Sequence, residues 1–542
     1  EAKSNEGIPM RAMVSAAQPE ATEAALDVLA EGGNVVDAAI AGALVQTAVD
    51  PQMCGIAGFG SCHVHLADGT HRIVDFHGRA PRAATPTMWE DKLIRESDDG
   101  FGFILDGAVN EVGHQSVSTP LTLRAFDDVL KRWGTTTLAQ AIQPAIPYCE
   151  DGFAIRPHVY NYWNRPSECG RIPGYRSQSQ VPATAAIYLK ADGSLPRVGE
   201  ILRNPDMGRT YRRIAEGGVE AFYGGAIAEE IAADFAANGG LITMEDLAAC
   251  ASEEGDPLWT TYRGRRVATN HPPGGGLVLA IMLNILARFD LAAMGHNSPD
   301  YVANVSEAMK IATVEKDQRM GDPKFFDIPY EELLSDAYAD RMAERIKRGE
   351  KTSVPRMNSG YVPTDTTHIC VADAEGNCVT MTHTLGASSG AVTPGLGFMY
   401  NNSMAVFDPR PGRPHSIAPG KARFTALSPT IVFEGDAPFL LLGAPGGTTI
   451  TMGNLQAILN VIDFGMDAQQ AVAAPRFTAT SDKIELTNRI LRRTERALQD
   501  RGYPTLRHPF SYMRPSVHAI RIVDGRLDGG ADPSSDGLAA GI

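Results

Sequence analysis

Residues 349–365 divide this 542-residue sequence into two stretches of opposite patterning. The segment is rich in Ser, Pro, Gly and Thr and poor in apolar residues. It has no apolar face to bury, so it reads as an exposed linker, the kind of segment where chains are cut. Before it, apolar residues recur mainly at helical spacing. Residues 20–30 form one helix, stopped by Gly32-Gly33, and residues 37–49 a second, rich in small side chains. Helical periodicity returns over 118–134, 138–152, 226–237 and 275–289, then over 299–347 apart from a turn at Gly321-Asp322-Pro323. Only residues 61–75 alternate as strand, with a hairpin turn at Asp68-Gly69. Beyond the linker the pattern changes. Residues 367–372 and 378–385 are strands joined at Glu375-Gly376-Asn377, and 430–433 pairs with 439–442 around Gly435-Asp436. Ala444-Pro445-Gly446-Gly447 then opens a helix over 448–464. There is no internal repeat and no low-complexity tract. Hairpin-joined strands flanked by helices predict an α+β fold with an antiparallel core between helical layers, not a doubly wound parallel sheet.

The formal net charge of -15 argues against a nucleic-acid or anionic-membrane partner, since both need a basic face. The longest apolar stretches, such as 277–286, fall well short of the roughly 20 residues a bilayer span needs. Seven cysteines are an odd number, scattered without C-x-x-C or zinc-ligand spacing. They read as buried free thiols and point to the cytoplasm. The chain opens at Glu1, so the alternative is a removed leader and a periplasmic or secreted protein. His63 and His65 alternate on a strand with His71 and His77 nearby, but no H-E-x-x-H or carboxylate cluster accompanies them. Packed or solvent-facing histidines are the expectation there, with no metal. No P-loop or dinucleotide fingerprint occurs, so no cofactor is expected.

The candidate chemistry sits where linker becomes strand, at Asp365-Thr366-Thr367-His368. By itself a Thr-Thr pair entering a strand is usually structural, because threonine favours strands. The surroundings change that. Thr366-Thr367-His368, Gly376-Asn377, Val379-Thr380, Thr382-x-Thr384-Leu385 and Gly390 resemble the small-subunit signature of the gamma-glutamyltransferase family. Ser428-Pro429-Thr430-Ile431-Val432, Pro445-Gly446-Gly447 and Ala473-Ala474-Pro475-Arg476-Phe477 extend the likeness. Glu31-Gly32-Gly33-Asn34-Val35-Val36-Asp37, Gly239-Gly240-Leu241-Ile242, Tyr262-Arg263-Gly264 and Gly321-Asp322-Pro323 resemble the large subunit. The resemblance covers essentially the whole chain.

That resemblance implies an N-terminal-nucleophile hydrolase with a four-layer αββα core, made as one inactive chain that cuts itself between Asp365 and Thr366. Residues 1–365 would be the large subunit and 366–542 the small one, together a heterodimer, with pairing of such heterodimers left open. The chemistry is sound. A threonine hydroxyl is a poor nucleophile without a base beside it. Cleavage frees an α-amine with an ordinary pKa of about 7.7–8.0, which can accept the hydroxyl proton near neutral pH. Thr384 matches the family's second threonine, which orients the nucleophile. Gly446 and Gly447 match the pair whose N–H groups form the oxyanion hole, and the following helix start adds a favourable dipole.

Other positions depart from glutathione-cleaving members, in which an arginine and two serines hold the substrate carboxylate. Here the arginine position is His77, with Arg79 two residues on, and the serine pair is Thr425-Ala426. The family's Asn after the second threonine is Gly386, and its Gln-x-x-Asp is Ser403-Met404-Ala405-Val406. Replacing the acid by Val406 removes the partner of a substrate ammonium, a charge-assisted bond worth about 1.5–3 kcal/mol. The expected substrate is therefore a small amide whose acyl group carries a carboxylate but no free α-amine. His77, Arg79, Thr425 and Ser403 are the candidate substrate-binding residues. The segment 407–428 is shorter than in members with a lid, which implies an open cleft. The alternative within the family is a true glutathione hydrolase or transferase with a divergent pocket. Outside it, Gly386-Ala387-Ser388-Ser389-Gly390 satisfies G-x-S-x-G, with Ser388 as a serine nucleophile. That pattern is common by chance, and residues 386–397 read as a glycine-rich loop, not a turn into a helix. A non-catalytic relative is disfavoured because Thr366, Thr384, Gly446 and Gly447 are all present.

Overall fold

The computed structural model describes residues 10–98, 100, 102–356, 366–512 and 515–542. Two antiparallel sheets form the centre. In the seven-stranded sheet the order is Leu538–Gly541, Ala12–Ala16, Thr367–Asp373, Cys378–Thr384, Phe59–His65, His71–Phe76 and Glu253–Gly255. In the six-stranded sheet it is Arg526–Ala531, His518–Val523, Ala437–Gly443, Thr430–Glu434, Arg265–Thr269 and Leu258–Tyr262. Alternation along each strand decides what faces what. Met13, Cys370, Ala372 and Cys378 of the first sheet meet Ala268, Ile431, Phe433, Leu441 and Ile520 of the second in a thin core of their own. Ile369, Val371, Val379 and Met381 point the other way, onto the helices Pro19–Ala30 and Val35–Val49. On the far side Val432, Leu440 and Leu442 pack under Gly276–Leu286, Pro299–Arg319 and Ile450–Ile462. The result is helix, sheet, sheet, helix, the four-layer α+β arrangement expected from the resemblance.

The helix Val35–Val49 is buried along its whole length, which its small side chains permit. Asn34 caps it by accepting from Val36 and Asp37, and Asp37 closes the capping box. Residues 138–152 are not the single helix that periodicity suggested. Leu138–Ile142 and Ile146–Glu150 are separate turns around a 3-10 stretch, Gln143–Ala145. Pro144 and Pro147 withhold the amide protons a continuous helix needs. The linker is also more ordered at its start than its composition implied. Thr352 donates to Glu307, Val354 exchanges bonds with Asp482, and Arg356 pairs with Asp317. Asp365 and the rest of the linker from 357 lie outside the described residues. No helix among the described residues is long and apolar enough to cross a membrane.

Candidate active site

Strand register builds the site. Thr367 lies opposite His383, so Thr366 stands beside Thr384. Thr384 lies opposite Phe59, and Gly60 opposite Phe76, which sets His77 beside Phe59. Thr366, Thr384, Phe59 and His77 thus make one cross-strand row at an end of the seven-stranded sheet, neighbours with Cβ atoms about 5 Å apart. The row faces the second sheet: two residues down the same face, His368 packs so closely under Gly443 that an added Cβ there would fall 2.1 Å from its ring.

Thr366 is 5% exposed, and its hydroxyl donates to Thr384 Oγ1 at 3.0 Å. The Gly386 amide donates to the same oxygen at 2.9 Å, so Thr384 is held from two sides. Thr366 has a φ of 135°, which a β-branched residue adopts only under strain. The two histidines nearest in sequence are poor bases. Burial pushes His383 down to about 3, and burial, with His518 and His383 adding repulsion, holds His368 well below its ordinary range. Both rings are also engaged elsewhere, His383 with Gln46 and His368 with Thr382 and Thr380. Gln46 and Gln18 grip Thr367 from the helical layer, fixing the strand that leads out of Thr366.

The strand Ala437–Gly443 leaves the second sheet above His368, and the chain continues through Ala444-Pro445 to Gly446 and Gly447. Their φ values are 152° and 57°, conformations that favour glycine. An added Cβ at Gly446 would meet Pro515 Cβ at 2.5 Å. Thr449 ties down the Gly446 carbonyl at 2.7 Å, and the helix Ile450–Ile462 begins immediately after. The loop is a rigid pair of glycine amides at a helix start, suited to an oxyanion.

Next to it, Thr448 lines a cavity of about 520 Å³. Val406, Phe424 and Ala426 form apolar wall, so two of the replaced positions do face one space. Lys316, Arg356, Arg410 and Arg413 share that lining with Glu96, Asp317 and Asp408. His77 and Ser403 are buried, and neither His77 nitrogen nor Ser403 Oγ has a hydrogen-bond partner. Asp75 approaches His77 Nε2 at 3.4 Å. An added Cβ at Gly78, the residue after His77, would lie 2.1 Å from Ser118 Oγ and 3.5 Å from Ser403 Oγ. Thr425 is buried, its Oγ1 accepting from the Leu427 amide. Arg79 differs: its guanidinium pairs with Asp322 and Glu253 and donates to the Gly420 carbonyl. Those ties hold it against the 420–422 segment.

Sequence reasoning passed over Arg423. It is 4% exposed, with its guanidinium 4.7 Å above the Phe59 ring. Burial, with Arg171 adding repulsion, lowers its pKa to about 9. Ser388 is buried with a φ of 56°, but the chain after it runs on without a helix, unlike a nucleophile elbow. His63 and His71 hydrogen-bond each other at 2.7 Å among Trp259 and Phe433. Among the described residues no group of three His, Cys, Asp or Glu side chains is arranged to hold a metal.

The family model described as gamma-glutamyltranspeptidase matches residues 21–542. The chain is 36% identical to the Acylase ACY 1 proenzyme of Pseudomonas sp. (strain V22) over 540 residues, covering 98% of this chain and 94% of that one. It is 32% identical to the glutathione hydrolase proenzyme of Escherichia coli (strain K12) over 557 residues, covering 98% and 93%. The crystal structure of cephalosporin acylase from Bacillus halodurans superposes with a TM-score of 0.85 at 29% identity, covering 100% of this chain and 97% of that one.

Proposed function

This chain belongs to the gamma-glutamyltranspeptidase family of amide hydrolases and acyl transferases, and from that premise we propose that it cuts itself before Thr366 and works through that residue. The observation that carries the reading is the Thr366–Thr384 hydroxyl pair at 3.0 Å, buried at the head of a strand under backbone strain. The freed α-amine takes the proton of the Thr366 hydroxyl, and Oγ1 attacks the amide carbonyl. Gly446 and Gly447 stabilise the oxyanion through their N–H groups. The amine leaves with the proton, and water or a second amine then releases the acyl group from Thr366. The nearby histidines support an α-amine base, because burial has made them too weakly basic to compete. The acyl group is a small one bearing a carboxylate and no α-amine, with His77, Ser403 and Thr425 on its side of the site and Arg79 bracing them. Residues 1–365 and 366–542 form the two subunits. Seven buried free thiols fit a cytoplasmic location.

Purified protein should run as two bands under denaturing conditions, the smaller beginning Thr-Thr-His-Ile-Cys. Thr366→Ala should stay one band and show no acylase activity. Full activity from an uncut wild-type chain would remove the mechanism.

A further inference from the structure

The cavity beside Thr448 is larger than the proposed acyl group. At about 520 Å³ it falls in the range that buries a drug-sized molecule, so a short acyl chain leaves room for the departing amine. Phe103, Pro355 and Pro414 give that room apolar wall. The charges on the lining do not cancel. Lys316, Arg356, Arg410 and Arg413 face Glu96, Asp317 and Asp408, one cation in excess within a chain of formal net charge -15. His415 adds none near neutral pH, because burial and the Lys316 charge push it down to about 4.

The excess falls on one residue. Arg410 donates to both oxygens of Asp408 and to Glu96, each at 2.8 Å. Arg356 pairs with Asp317, and Lys316 Nζ lies 2.8 Å from the same carboxylate. Arg413 Nε is 3.8 Å from Asp408 Oδ2, beyond hydrogen-bond reach, and its guanidinium makes no hydrogen bond among the described residues. The backbone beneath it is fixed. The Arg413 amide donates to Ser416 Oγ at 2.8 Å, and the Asp408 amide and carbonyl bond to His415 and Ile417. The Arg413 side chain is 52% exposed, so it stands where the cavity meets solvent. There a guanidinium can take up a carboxylate without the desolvation that a buried pair demands. On the acylase reading the acyl group stays on Thr366 while the amine departs, so a cation at the opening meets the amine.

We infer that this cavity is the subsite of the leaving amine, and that Arg413 selects amines carrying a carboxylate on an apolar, ring-sized body. The inference rests on the acylase reading above, and its test fails separately from that reading. The probes are glutaryl 4-nitroanilide and glutaryl 3-carboxy-4-nitroanilide, which form the same acyl-enzyme and differ only by a carboxylate on the departing amine. Their difference in intrinsic reactivity is common to wild type and variants and cancels from the comparison. In Arg413→Met the kcat/KM ratio of carboxylated to plain anilide should fall about two- to fivefold below wild type, as for an ion pair partly in water. Arg413→Lys keeps the charge but not the fork and should retain part of the ratio. High ionic strength should lower the wild-type ratio and leave that of the Met variant unmoved, a response that a merely structural arginine would not give. Appearance of two subunits in each variant reports that it has folded. If wild type cleaves both anilides and the Met variant keeps the wild-type ratio at low and high salt, the inference is overturned. If wild type cleaves neither, the acylase reading itself fails.

Discussion

Thr384 shows how much one side chain can be asked to do. Its oxygen accepts from the Thr366 hydroxyl and from the Gly386 amide, so its position is fixed before any substrate arrives. A nucleophile held by a fixed partner spends more time aimed at the carbonyl, and displacement by about 1 Å can cost 10²-fold in rate. Thr384→Ala removes the partner but leaves the strand, where residues 378–384 are buried against neighbours on both sides. It should fold and lose about 10²-fold in kcat with little change in KM, measured by steady-state hydrolysis of a chromogenic anilide. Unaltered kcat would show that the hydroxyl pair orients nothing. The Thr-Thr pair, the second threonine and the glycine pair were legible as residues in the sequence. Arg423 was not, because nothing local distinguishes a guanidinium over an aromatic ring from one in solvent.

Among the elements, the helix Val35–Val49 depends on a single carboxylate. Asp37 accepts from the amides of Asn34, Thr135 and Thr136 and from both threonine hydroxyls, joining the helix start to the 135–137 turn. Burial alone would push its carboxyl up, but those hydrogen bonds outweigh it and hold the group below its ordinary 3.8. The sign follows from linkage. The unfolded chain takes up the proton first on acidification, so this contribution is full above about pH 5 and lost as pH falls through the folded-state value. Asp37→Asn keeps the shape and loses the charge. It should cost about 1.5–3 kcal/mol near neutral pH, read from denaturant midpoints, and the gap to wild type should narrow as pH falls below 3.8. A gap that stays constant with pH would mean the ionised form contributes nothing. Sequence resolved this helix because small side chains still repeat along it. It misread 138–152 because apolar periodicity continues through Pro144 and Pro147 while the hydrogen bonding cannot.

At the scale of the whole molecule, the cut before Thr366 would fall between subunits that share both sheets. Thr367–Asp373 pairs with Ala12–Ala16 on one side, and Cys378–Thr384 with Phe59–His65 on the other. The described stub of the linker is pinned to Asp482, so the two products would stay interleaved. The cavity is likewise assembled from distant stretches: Val314 and Arg356 before the cut, Val406, Phe424, Ala426 and Thr448 after it. On the proposed reading, the apolar wall at Val406 and Ala426 would penalise an ammonium more than it rewards a methylene. Glutaryl anilide should therefore be hydrolysed with a higher kcat/KM than gamma-glutamyl anilide, which differs only by the amine. Val406→Asp should move the ratio toward the glutamyl compound. A wild-type preference for the glutamyl compound of about tenfold, roughly 1.4 kcal/mol, would put the protein among the glutathione enzymes.

The sequence by itself determined an antiparallel core between helical layers, from period two against 3.6, and its family motifs marked Thr366, Thr384, Gly446 and Gly447 as candidates. It also flagged Val406 and Ala426 as absences. Only the tertiary structure decided where the nearby arginines lie. Arg79, two residues from His77 in the chain, is drawn off to Asp322 and Glu253, while Arg423 is brought onto Phe59 by the 420–426 segment. Where each arginine settles depends on partners that come from segments far apart in the chain. Register then sets Thr366, Thr384, Phe59 and His77 in one row, a proximity that pairing across strands creates and no spacing along the chain reveals.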